Sequence, residues 1–250
     1  MNRSRKVLLT NSHGNSYFTA QHAVALLLAL ANKIIPHHNW MIAGRWRTGV
    51  EDAISTPLRY RKIGLLGYGA VNQKVHRFLS GFDADFSILR RNWEKQYNAL
   101  PTPANKYTVD DLAEFLTEID TLIVAVPLTT LTTELIKMEE LHLLGLEGLL
   151  VNIARGQIIH EASLFTALKE HIIAGAAIDV WWEYTPLPDE KGRKYPFAQP
   201  FHTLDNVILS PHRAASPIND LSRWDDIIEN IRRFVQEKEL LNVVNIEEEY

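Results

Sequence analysis

The stretch Lys62-Ile63-Gly64-Leu65-Leu66-Gly67-Tyr68-Gly69-Ala70-Val71-Asn72 decides the fold prediction for this chain. A short apolar run enters a glycine-rich turn, and apolar side chains then recur at helical spacing, which predicts a strand, a tight turn and a helix start. Gly67 permits the turn, and Gly69 lets the backbone approach a pyrophosphate at the helix N-terminus. Asn72 replaces the third glycine of the usual fingerprint. Taken alone, the stretch therefore fits both a nucleotide site and an ordinary turn between strand and helix.

The composition excludes several classes of protein. The chain has 250 residues, of which 46% are hydrophobic, which is enough for a sizeable core in one large or two small domains. Its net charge of -4 provides no basic field for nucleic acid. The longest apolar stretch, residues 23–31, is too short to span a membrane. The absence of cysteine fits a reducing compartment, and we expect a cytoplasmic protein.

Short apolar runs alternate with helical patterns along the chain, which predicts an α/β protein with a parallel sheet. Ligands bind to such sheets beyond the carboxyl ends of the strands, so polar residues that follow the predicted strands should converge on one edge. Those residues are Arg90, Arg91, Thr129, Thr130, Arg155, Asp179 and His212. This convergence predicts a ligand site more strongly than the glycine turn does.

Four further segments are predicted from local pattern. Residues 6–10 form an apolar run typical of a strand, and residues 20–35 form a helix that Pro36 ends. Residues 41–57 and 99–105 are predicted to be irregular. Residues 217–237 have the pattern of an amphipathic helix.

Motifs along most of the chain carry a resemblance to a known family. They are Val126-Pro127-Leu128-Thr129, Val151-Asn152-Ile153-Ala154-Arg155-Gly156, Ala174-Gly175-Ala176-Ala177-Ile178-Asp179-Val180, Ser210-Pro211-His212 and Leu241-Asn242-Val243-Val244-Asn245. In these motifs, their order and their spacing, the chain resembles the D-isomer-specific 2-hydroxyacid dehydrogenases of the glyoxylate/hydroxypyruvate reductase kind. The resemblance implies a Rossmann-type doubly wound parallel sheet. It also implies an oxidoreductase that transfers a hydride between NAD(P) and a small 2-hydroxy or 2-keto acid.

The resemblance implies two catalytic residues. Arg155 matches the arginine that grips the substrate carboxylate, a role that suits guanidinium because its fork pairs with a carboxylate and stays charged. His212 matches the general acid and base, since imidazole exchanges protons near neutral pH. Judged by residue type alone, Arg155 also fits a surface salt bridge, and His212 also fits the end of a capped loop.

The third catalytic residue of the family, a glutamate that hydrogen-bonds the histidine, departs from the pattern. The family places it five residues after the aspartate that matches Asp179, and that position holds Tyr184. Glu183 lies one residue earlier, in a segment that is one residue longer than the family's. Either Glu183 is the catalytic carboxylate and reaches His212 through a shifted loop, or the carboxylate partner is absent.

The resemblance also implies the positions that bind the cofactor. They are Gly67, Gly69, Ala70 and Val71 in the pyrophosphate turn, Val126, Pro127, Thr129, Ile153 and Ala154 along the cofactor, and Arg155, Asp179 and His212 near the nicotinamide. An acidic residue about 20 positions beyond the turn normally holds the adenosine 2′-hydroxyl. Here that position holds Arg90, followed by Arg91. Arginine attracts a 2′-phosphate and cannot accept a hydrogen bond from a hydroxyl, so we expect NADP in preference to NAD; a solvated charge pair is the alternative.

The chain is short for the family, whose N-terminal substrate domain has the usual domain size of about a hundred residues. We therefore expect residues 1–13 to be a remnant of the substrate domain and residues 14–211 to be the dinucleotide-binding domain. Residues 212–250 would be a C-terminal helix and tail that return to the substrate domain. A chain of this kind should bind dinucleotide but turn over keto acids poorly.

Partners and alternatives follow from the same features. We expect a homodimer formed through the apolar helix at residues 20–35 together with the segment from Trp40 to Trp46, which resembles the part of the family that dimerises, although the helix face also fits packing within one subunit. We expect no nucleic acid, no membrane and no metal. A metal hydrolase is a weak alternative, because Leu164 stands where the helix after His160 and Glu161 would need a second histidine.

The main alternative is a non-catalytic dinucleotide-binding protein in which the cofactor regulates a partner. The missing half and Tyr184 favour that protein. Arg155 and His212, both in their motifs, favour the enzyme.

Overall fold

A computed structural model of the chain describes residues 7–46, 54–94, 99–215, 217 and 219–247. In this part of the chain, parallel strands form one sheet in the order β3-β2-β1-β4-β5-β6-β7. The strands are β1 (Lys62–Leu66), β2 (Asp85–Leu89), β3 (Ala104–Tyr107), β4 (Thr121–Val124), β5 (Leu149–Asn152), β6 (Gly175–Ile178) and β7 (Val207–Leu209). The predicted α/β class with a doubly wound parallel sheet is confirmed. Strands β2 and β3 lie on one side of β1, and strands β4 to β7 lie on the other. The strand order therefore reverses between β1 and β4, which is where such sheets bind ligands.

Helices cover both faces of the sheet. They are α1 (Ser16–Ala31), α2 (Ile34–Ile42), α3 (Ala70–Leu79), α4 (Leu112–Thr117), α5 (Met138–Leu144), α6 (Glu161–Lys169) and α7 (Asp225–Val235). Helices α1 and α3 pack together on one face, and α5 packs between α4 and α6 on the other. In β4, Leu122 and Val124 belong to the hydrophobic cluster on the α4–α6 side, whereas Ile123 belongs to the cluster on the α1–α3 side. This is the alternation that a strand buried on both faces requires.

The N-terminal helix differs from its prediction in extent. It begins at Ser16 and ends at Ala31, and after a short turn the chain becomes helical again as α2. Pro36 lies in the first turn of α2, where the missing N–H has no helical partner to lose, so it does not end a helix. The predicted irregular segment at 41–57 is wrong for Met41 and Ile42, which belong to α2, and residues 47–53 lie outside the described part.

The predicted strand at residues 6–10 is wrong. Val7, Leu8 and Leu9 are exposed, and Thr10 makes only an isolated antiparallel bridge to Val243; residue 6 lies outside the described part. Around that bridge, the amide of Asn11 donates to the carbonyl oxygen of Asn242 (2.9 Å). The amide of Val244 donates to the carbonyl oxygen of Leu9 (2.8 Å). An apolar run becomes a strand only when neighbouring strands pair with it, and here the pairing is a short clasp between the two ends of the chain.

The C-terminal helix is shorter than predicted. It runs over Asp225–Val235 and follows a 3₁₀ turn at Leu221–Trp224, while residue 218 of the predicted span lies outside the described part. No single helix of the described residues is long and apolar enough to cross a membrane. Helices α1 and α2 meet such a length and composition only as a pair, and the pair is bent by 61°.

Candidate active site

Backbone hydrogen bonds at the carboxyl ends of the strands join the loops that carry the predicted site residues. They run from the amides of Gly67, Ala125, Asp179 and Ser210 to the carbonyl oxygens of Leu89, Leu66, Asn152 and Ile178, at 2.9, 3.0, 3.1 and 2.8 Å. Each bond extends the parallel ladder one step beyond a strand. The loops after β1, β4, β6 and β7 therefore leave the sheet along one edge, together with the loop after β5.

The glycine turn has the geometry of a phosphate cradle. Gly67 has φ +80°, a conformation that favours glycine, and a side-chain carbon there would lie 2.7 Å from Cγ1 of Val126. A side-chain carbon at Gly69 would meet nothing within 4 Å, so the space above the turn is open. The open space lies at the N-terminus of α3, which begins at Ala70 and packs Val71 against the core. Backbone amides and the helix dipole there favour an anion such as pyrophosphate.

Asn72, at the third fingerprint position, ties this turn to the sheet. Its side chain is fully buried, and Nδ2 donates to the carbonyl oxygen of Gly67 at 2.7 Å, with longer contacts to those of Leu66 (3.3 Å) and Ile123 (3.4 Å). Glycine at this position allows close packing of helix on strand. Asparagine instead fills the space and holds the turn by hydrogen bonds, so the departure from the fingerprint leaves the cradle intact.

Two arginines follow β2 at the end of the site where an adenosine ribose would lie. Arg90 is 9% exposed, and its guanidinium lies 5.1 Å from the ring centre of Trp93. The Lys106 ammonium lies 4.9 Å from the centre of the same ring, so two cations make cation–π contacts with the indole of Trp93. Arg91 is exposed. Burial raises the pKa of Tyr68, which lies between the turn glycines, to about 12, and the positive charge of Arg90 partly opposes that rise.

A buried polar chain supports the turn from behind. The Tyr68 hydroxyl bonds Nδ1 of His76 (2.8 Å), and Nε2 of His76 bonds the Thr102 hydroxyl (2.8 Å). Burial lowers the pKa of His76 to about 4, so the ring is neutral at physiological pH. A neutral imidazole offers one donor and one acceptor, which the two hydroxyls satisfy.

The loop after β4 carries Val126, Pro127 and Thr129. The Thr132 hydroxyl donates to the carbonyl oxygen of Pro127 at 2.6 Å and accepts the amide proton of Thr129 at 2.8 Å. These bonds fix the loop beside the glycine turn, which Val126 approaches from this side. Val126, one of the predicted cofactor-lining residues of this loop, thus lies next to the glycine turn.

Arg155 lies on a rigid turn after β5. Asn152 is buried; its Oδ1 accepts the amide proton of Ala154 (3.1 Å), and its Nδ2 donates to the carbonyl oxygen of Arg155 (3.0 Å). Gly156 packs against the backbone of Trp181, where a side-chain carbon would lie 2.4 Å from the carbonyl carbon. The Arg155 side chain is exposed, and Nη1 donates to the carbonyl oxygen of Ala154 at 2.6 Å. The guanidinium is therefore presented from a fixed backbone at the same edge.

Asp179 anchors the loop that carries His212. Its buried carboxylate accepts the amide protons of Arg213 (2.7 Å) and Ala214 (2.9 Å) and bonds the Ser210 hydroxyl. Nε2 of His22, on α1, lies 2.9 Å from that hydroxyl and 3.4 Å from the carboxylate. Burial alone would raise the pKa of Asp179, but the hydrogen bonds from His22, Ser210 and the two amides outweigh it and lower the pKa. Asp179 is thus an ionised clamp on both sides of His212.

The imidazole of His212 is bonded by Tyr184 and not by Glu183. The Tyr184 hydroxyl lies 2.9 Å from Nδ1 of His212, and the two rings meet edge to face. Oε1 of Glu183 instead accepts from the amide (2.6 Å) and hydroxyl (2.9 Å) of Thr185. The expectation that Glu183 reaches His212 is therefore corrected, because the carboxylate is held within its own turn. His212 itself has φ +55°, which is uncommon outside glycine.

Sequence reasoning did not identify the supporting residues His22, Ser210, Trp93, Lys106 and Asn152. His22 and Ser210 lie 188 positions apart, and no local pattern connects them. Asn152 stands inside a quoted motif, and its position directly before the arginine turn was the available signal for it.

Comparisons with known proteins agree with this geometry. Residues 24–214 match the model of the D-isomer specific 2-hydroxyacid dehydrogenase, NAD binding domain. A glyoxylate reductase of Korarchaeum cryptofilum is 30% identical over 97% of this chain and 70% of its own length. A glyoxylate reductase of Pyrococcus furiosus is 36% identical over 78% of this chain and 55% of its own length. The chain thus spans between half and three quarters of these curated relatives.

Among the similar solved structures is one that this chain covers over nearly its whole length. It is a D-isomer specific 2-hydroxyacid dehydrogenase of Xanthobacter autotrophicus Py2 in complex with NADPH and MES, with a TM-score of 0.80 and 26% identity. The similarity covers 100% of this chain and 97% of that one.

Proposed function

This chain belongs to the D-isomer-specific 2-hydroxyacid dehydrogenase family of NAD(P)-dependent oxidoreductases, and we propose that it reduces a small 2-keto acid with NADPH. Glyoxylate and hydroxypyruvate represent the substrate class, because they are small acids with a carbonyl next to the carboxylate. One observation carries the proposal: Arg155 and His212, on anchored loops, share the sheet edge with an open glycine cradle.

The roles of the residues follow from their chemistry. The reduced nicotinamide supplies the hydride when it is bound. The Arg155 guanidinium pairs with the substrate carboxylate and draws charge from the neighbouring carbonyl. His212 donates a proton from Nε2 to the carbonyl oxygen, which becomes the hydroxyl of the product. Asp179, by holding the amides after His212, keeps the imidazole at that edge.

NADPH is proposed as the preferred cofactor because of the charge that follows β2. Arg90, supported by Trp93 and Lys106, gives this end of the site a positive field, and arginine forms charge-assisted bonds with phosphate. An acidic residue, which would bond the 2′-hydroxyl of NAD, is replaced at this position. The proposed cofactor residues are those named in the sequence: Gly67, Gly69, Ala70, Val71, Arg90, Arg91, Val126, Pro127, Thr129, Ile153, Ala154, Arg155, Asp179 and His212.

The domain division is proposed as residues 1–13, 14–211 and 212–250. Contacts between the first and last of these segments support it. The amide of His13 donates to the Asp226 carboxylate at 2.6 Å, and the Ser12 hydroxyl donates to the carbonyl oxygen of Arg223 at 3.4 Å. The first and last segments thus pack on each other. This is expected if the chain passes from the substrate domain to the cofactor domain through the first segment and returns through the last.

A homodimer in the cytoplasm is also part of the proposal. The apolar face of α1 packs on its own sheet, as Ala23 and Leu27 show, so the later part of the expected surface, residues 34–46, is the part left for a second subunit. The exposed apolar side chains follow α1, on and after α2: Ile34, Ile35, Met41, Ile42 and Trp46. These side chains supply a surface of the kind that a second subunit covers. Sedimentation at micromolar concentration tests it, and a monomer there contradicts the dimer.

A non-catalytic dinucleotide-binding protein that regulates a partner is the second candidate. The observation that favours it is Tyr184, whose neutral hydroxyl bonds His212 at the position where the family pattern has a carboxylate. A carboxylate there would stabilise a protonated imidazole during catalysis, and a neutral hydroxyl lacks that charge.

The two candidates are separated by one experiment on the purified chain. Binding of NADPH and of NADH is measured by calorimetry, and oxidation of saturating NADPH is followed with glyoxylate and with hydroxypyruvate. Binding with turnover that increases with keto-acid concentration supports the reductase. Binding without turnover at any keto-acid concentration supports the regulator, and no binding of either dinucleotide overturns both.

A further inference from the structure

Tyr184 occupies the position at which the family pattern has a carboxylate, and it makes the contact that the carboxylate would make. Its hydroxyl lies 2.9 Å from Nδ1 of His212, while the amide of Trp181 approaches the same oxygen at 3.4 Å. The rings of Tyr184 and His212 are 5.3 Å apart and inclined by 71°. The imidazole of His212 is therefore held by a hydrogen bond to Tyr184 and by an edge-to-face contact between the two rings.

We infer that Tyr184 is the positioning residue of His212, and that it replaces the charged partner of the histidine with a neutral hydroxyl that can both accept and donate. This inference rests on the proposed function. When the imidazole is protonated, its Nδ1–H donates to the hydroxyl oxygen. When Nδ1 is unprotonated, the same hydroxyl donates to it. A carboxylate can only accept, so it supports the Nδ1–H forms alone.

The competing carboxylate in the segment is already engaged. Both the amide and the hydroxyl of Thr185 donate to Oε1 of Glu183, and the Glu183 amide donates to the carbonyl oxygen of Pro196 at 3.0 Å. These bonds fix Glu183 at both its backbone and its side chain. Tyr184, the next residue, is thereby directed toward His212.

The other charged and titratable groups around this loop do not distinguish the two kinds of partner. Asp179 bonds the amides that follow His212, His22 of α1 bonds Ser210, and Arg213 and Arg155 lie on the same edge. All of them are present whether position 184 is a hydroxyl or a carboxylate. A comparison of variants at this one position therefore isolates the charge of the partner.

The replacement has a consequence for the reaction. An opposite charge within about 4–6 Å stabilises a protonated imidazole, and a neutral hydroxyl lacks that effect. Reduction consumes the proton of the imidazolium, so the rate of reduction should decline with rising pH earlier here than in an enzyme with a carboxylate partner. The hydroxyl keeps the ring oriented in both forms.

The experiment measures kcat and KM for glyoxylate reduction from pH 5 to 9, at saturating NADPH, in the wild type and three variants. Tyr184→Phe removes the hydroxyl and should lower kcat at least about tenfold, part of the roughly 10²–10⁴-fold effect of a positioned proton donor, with little change in KM. Tyr184→Glu should move the pH midpoint of the decline upward by about one unit. Tyr195→Phe is the matched control, because the ring of Tyr195 stacks on the ring of His202, with their centres 4.2 Å apart, and makes no contact with His212 among the described contacts.

A second measurement does not need turnover. Nitrogen NMR of the imidazole reports the proton on Nδ1 and Nε2 of His212, with the signal assigned by its loss in His212→Ala. Tyr184→Glu should raise the pH at which this ring titrates, and Tyr184→Phe should change the balance of its neutral forms. If neither variant alters the titration or the neutral forms, the inference is overturned even when the enzyme is active.

The two measurements also separate this inference from the proposed function. A chain that turns over no keto acid but shows the shifted titration keeps the inference and loses the reductase. A fourth variant, Glu183→Gln, tests the other carboxylate in the same assay. Loss of its turnover with unchanged turnover in Tyr184→Phe would show that Glu183 is the partner and would overturn the inference.

Discussion

The guanidinium of Arg90 lies 5.1 Å from the ring centre of Trp93, at the point where β2 leaves the sheet. Trp93 is itself fixed, since its Nε1 donates to the carbonyl oxygen of Tyr107 at 2.9 Å. The arginine is therefore supported on a platform before any cofactor arrives. Preorganisation of this kind lowers the entropy lost when a charged group binds.

Arg90→Asp should reverse or flatten the preference for NADPH over NADH. Charge-assisted bonds to a 2′-phosphate contribute on the order of 1.5–3 kcal/mol, or roughly 10- to 100-fold in the ratio of dissociation constants. Calorimetric titration with both dinucleotides measures that ratio. Arg59→Asp is the matched control, because Arg59 also lies over a ring, that of Tyr60 at 4.8 Å, but precedes β1. Equal binding of NADH and NADPH by the wild type contradicts the assignment.

His212→Ala should remove most turnover while leaving NADPH binding unchanged. In the proposed reaction the imidazole supplies a proton to the carbonyl oxygen, and a positioned acid of this kind contributes roughly 10²–10⁴-fold. Steady-state kinetics and calorimetry on the same sample separate the two effects. His142→Ala, at an exposed position of α5, controls for the loss of a histidine. Keto-acid reduction at the wild-type rate by the His212 variant means that another group supplies the proton.

Arg155→Lys should raise KM for the keto acid and lower kcat. An ammonium keeps the charge but loses the fork that pairs with a carboxylate, so we expect a decrease of about tenfold or more in kcat/KM. Arg193→Lys is the control, because Arg193 pairs with Asp189 at 2.7 Å in an exposed loop. Similar kinetics for the two variants would remove Arg155 from the substrate site.

Stability should decrease in mild acid because of His76. Its pKa is about 4 in the folded chain and near 6.5 when unfolded, so the unfolded state binds the proton first. The free energy of unfolding should then decline from about pH 6.5 down to about pH 4, by on the order of 3 kcal/mol in total. Above pH 6.5 this group contributes no pH dependence.

His76→Phe should flatten that decline, although it also removes two hydrogen bonds and lowers stability at pH 7. Urea unfolding at several pH values between 7 and 4 measures the slope. His142→Phe, at an exposed site, should keep the wild-type slope. An unchanged slope in His76→Phe assigns the acid sensitivity to other groups.

The sequence predicted those parts of the fold in which local pattern and tertiary burial agree. The buried strand β1 and the start of helix α3 have both, and each lies where the stretch Lys62–Asn72 predicts. Strand β3 has neither: Ala104–Tyr107 contains no apolar alternation and follows Pro103, so it was placed partly in a loop. It is a strand because β2 pairs with it at the edge of the sheet. Pairing across the chain is a property that a local pattern does not contain.

The candidate site divides in the same way. Arg155, Asp179 and His212 stand directly after strands, and parallel topology alone brings them to one edge. The bond between Tyr184 and His212 depends on the path of the loop between β6 and β7, which the one-residue difference in length left open. The contact of His22 with Ser210 depends on how α1 packs on the sheet. Topology fixes which residues meet, whereas loop paths and helix packing fix which of their atoms bond.

The left-handed backbone of His212 implies a trade between stability and activity. A residue other than glycine or asparagine at φ +55° costs free energy, roughly 1–2 kcal/mol for a typical side chain. Selection for persistence of the fold alone would therefore favour glycine or asparagine at this position, and an inactive relative that carries either should melt at a higher temperature. Histidine at position 212 therefore carries a cost in folding free energy that glycine would avoid.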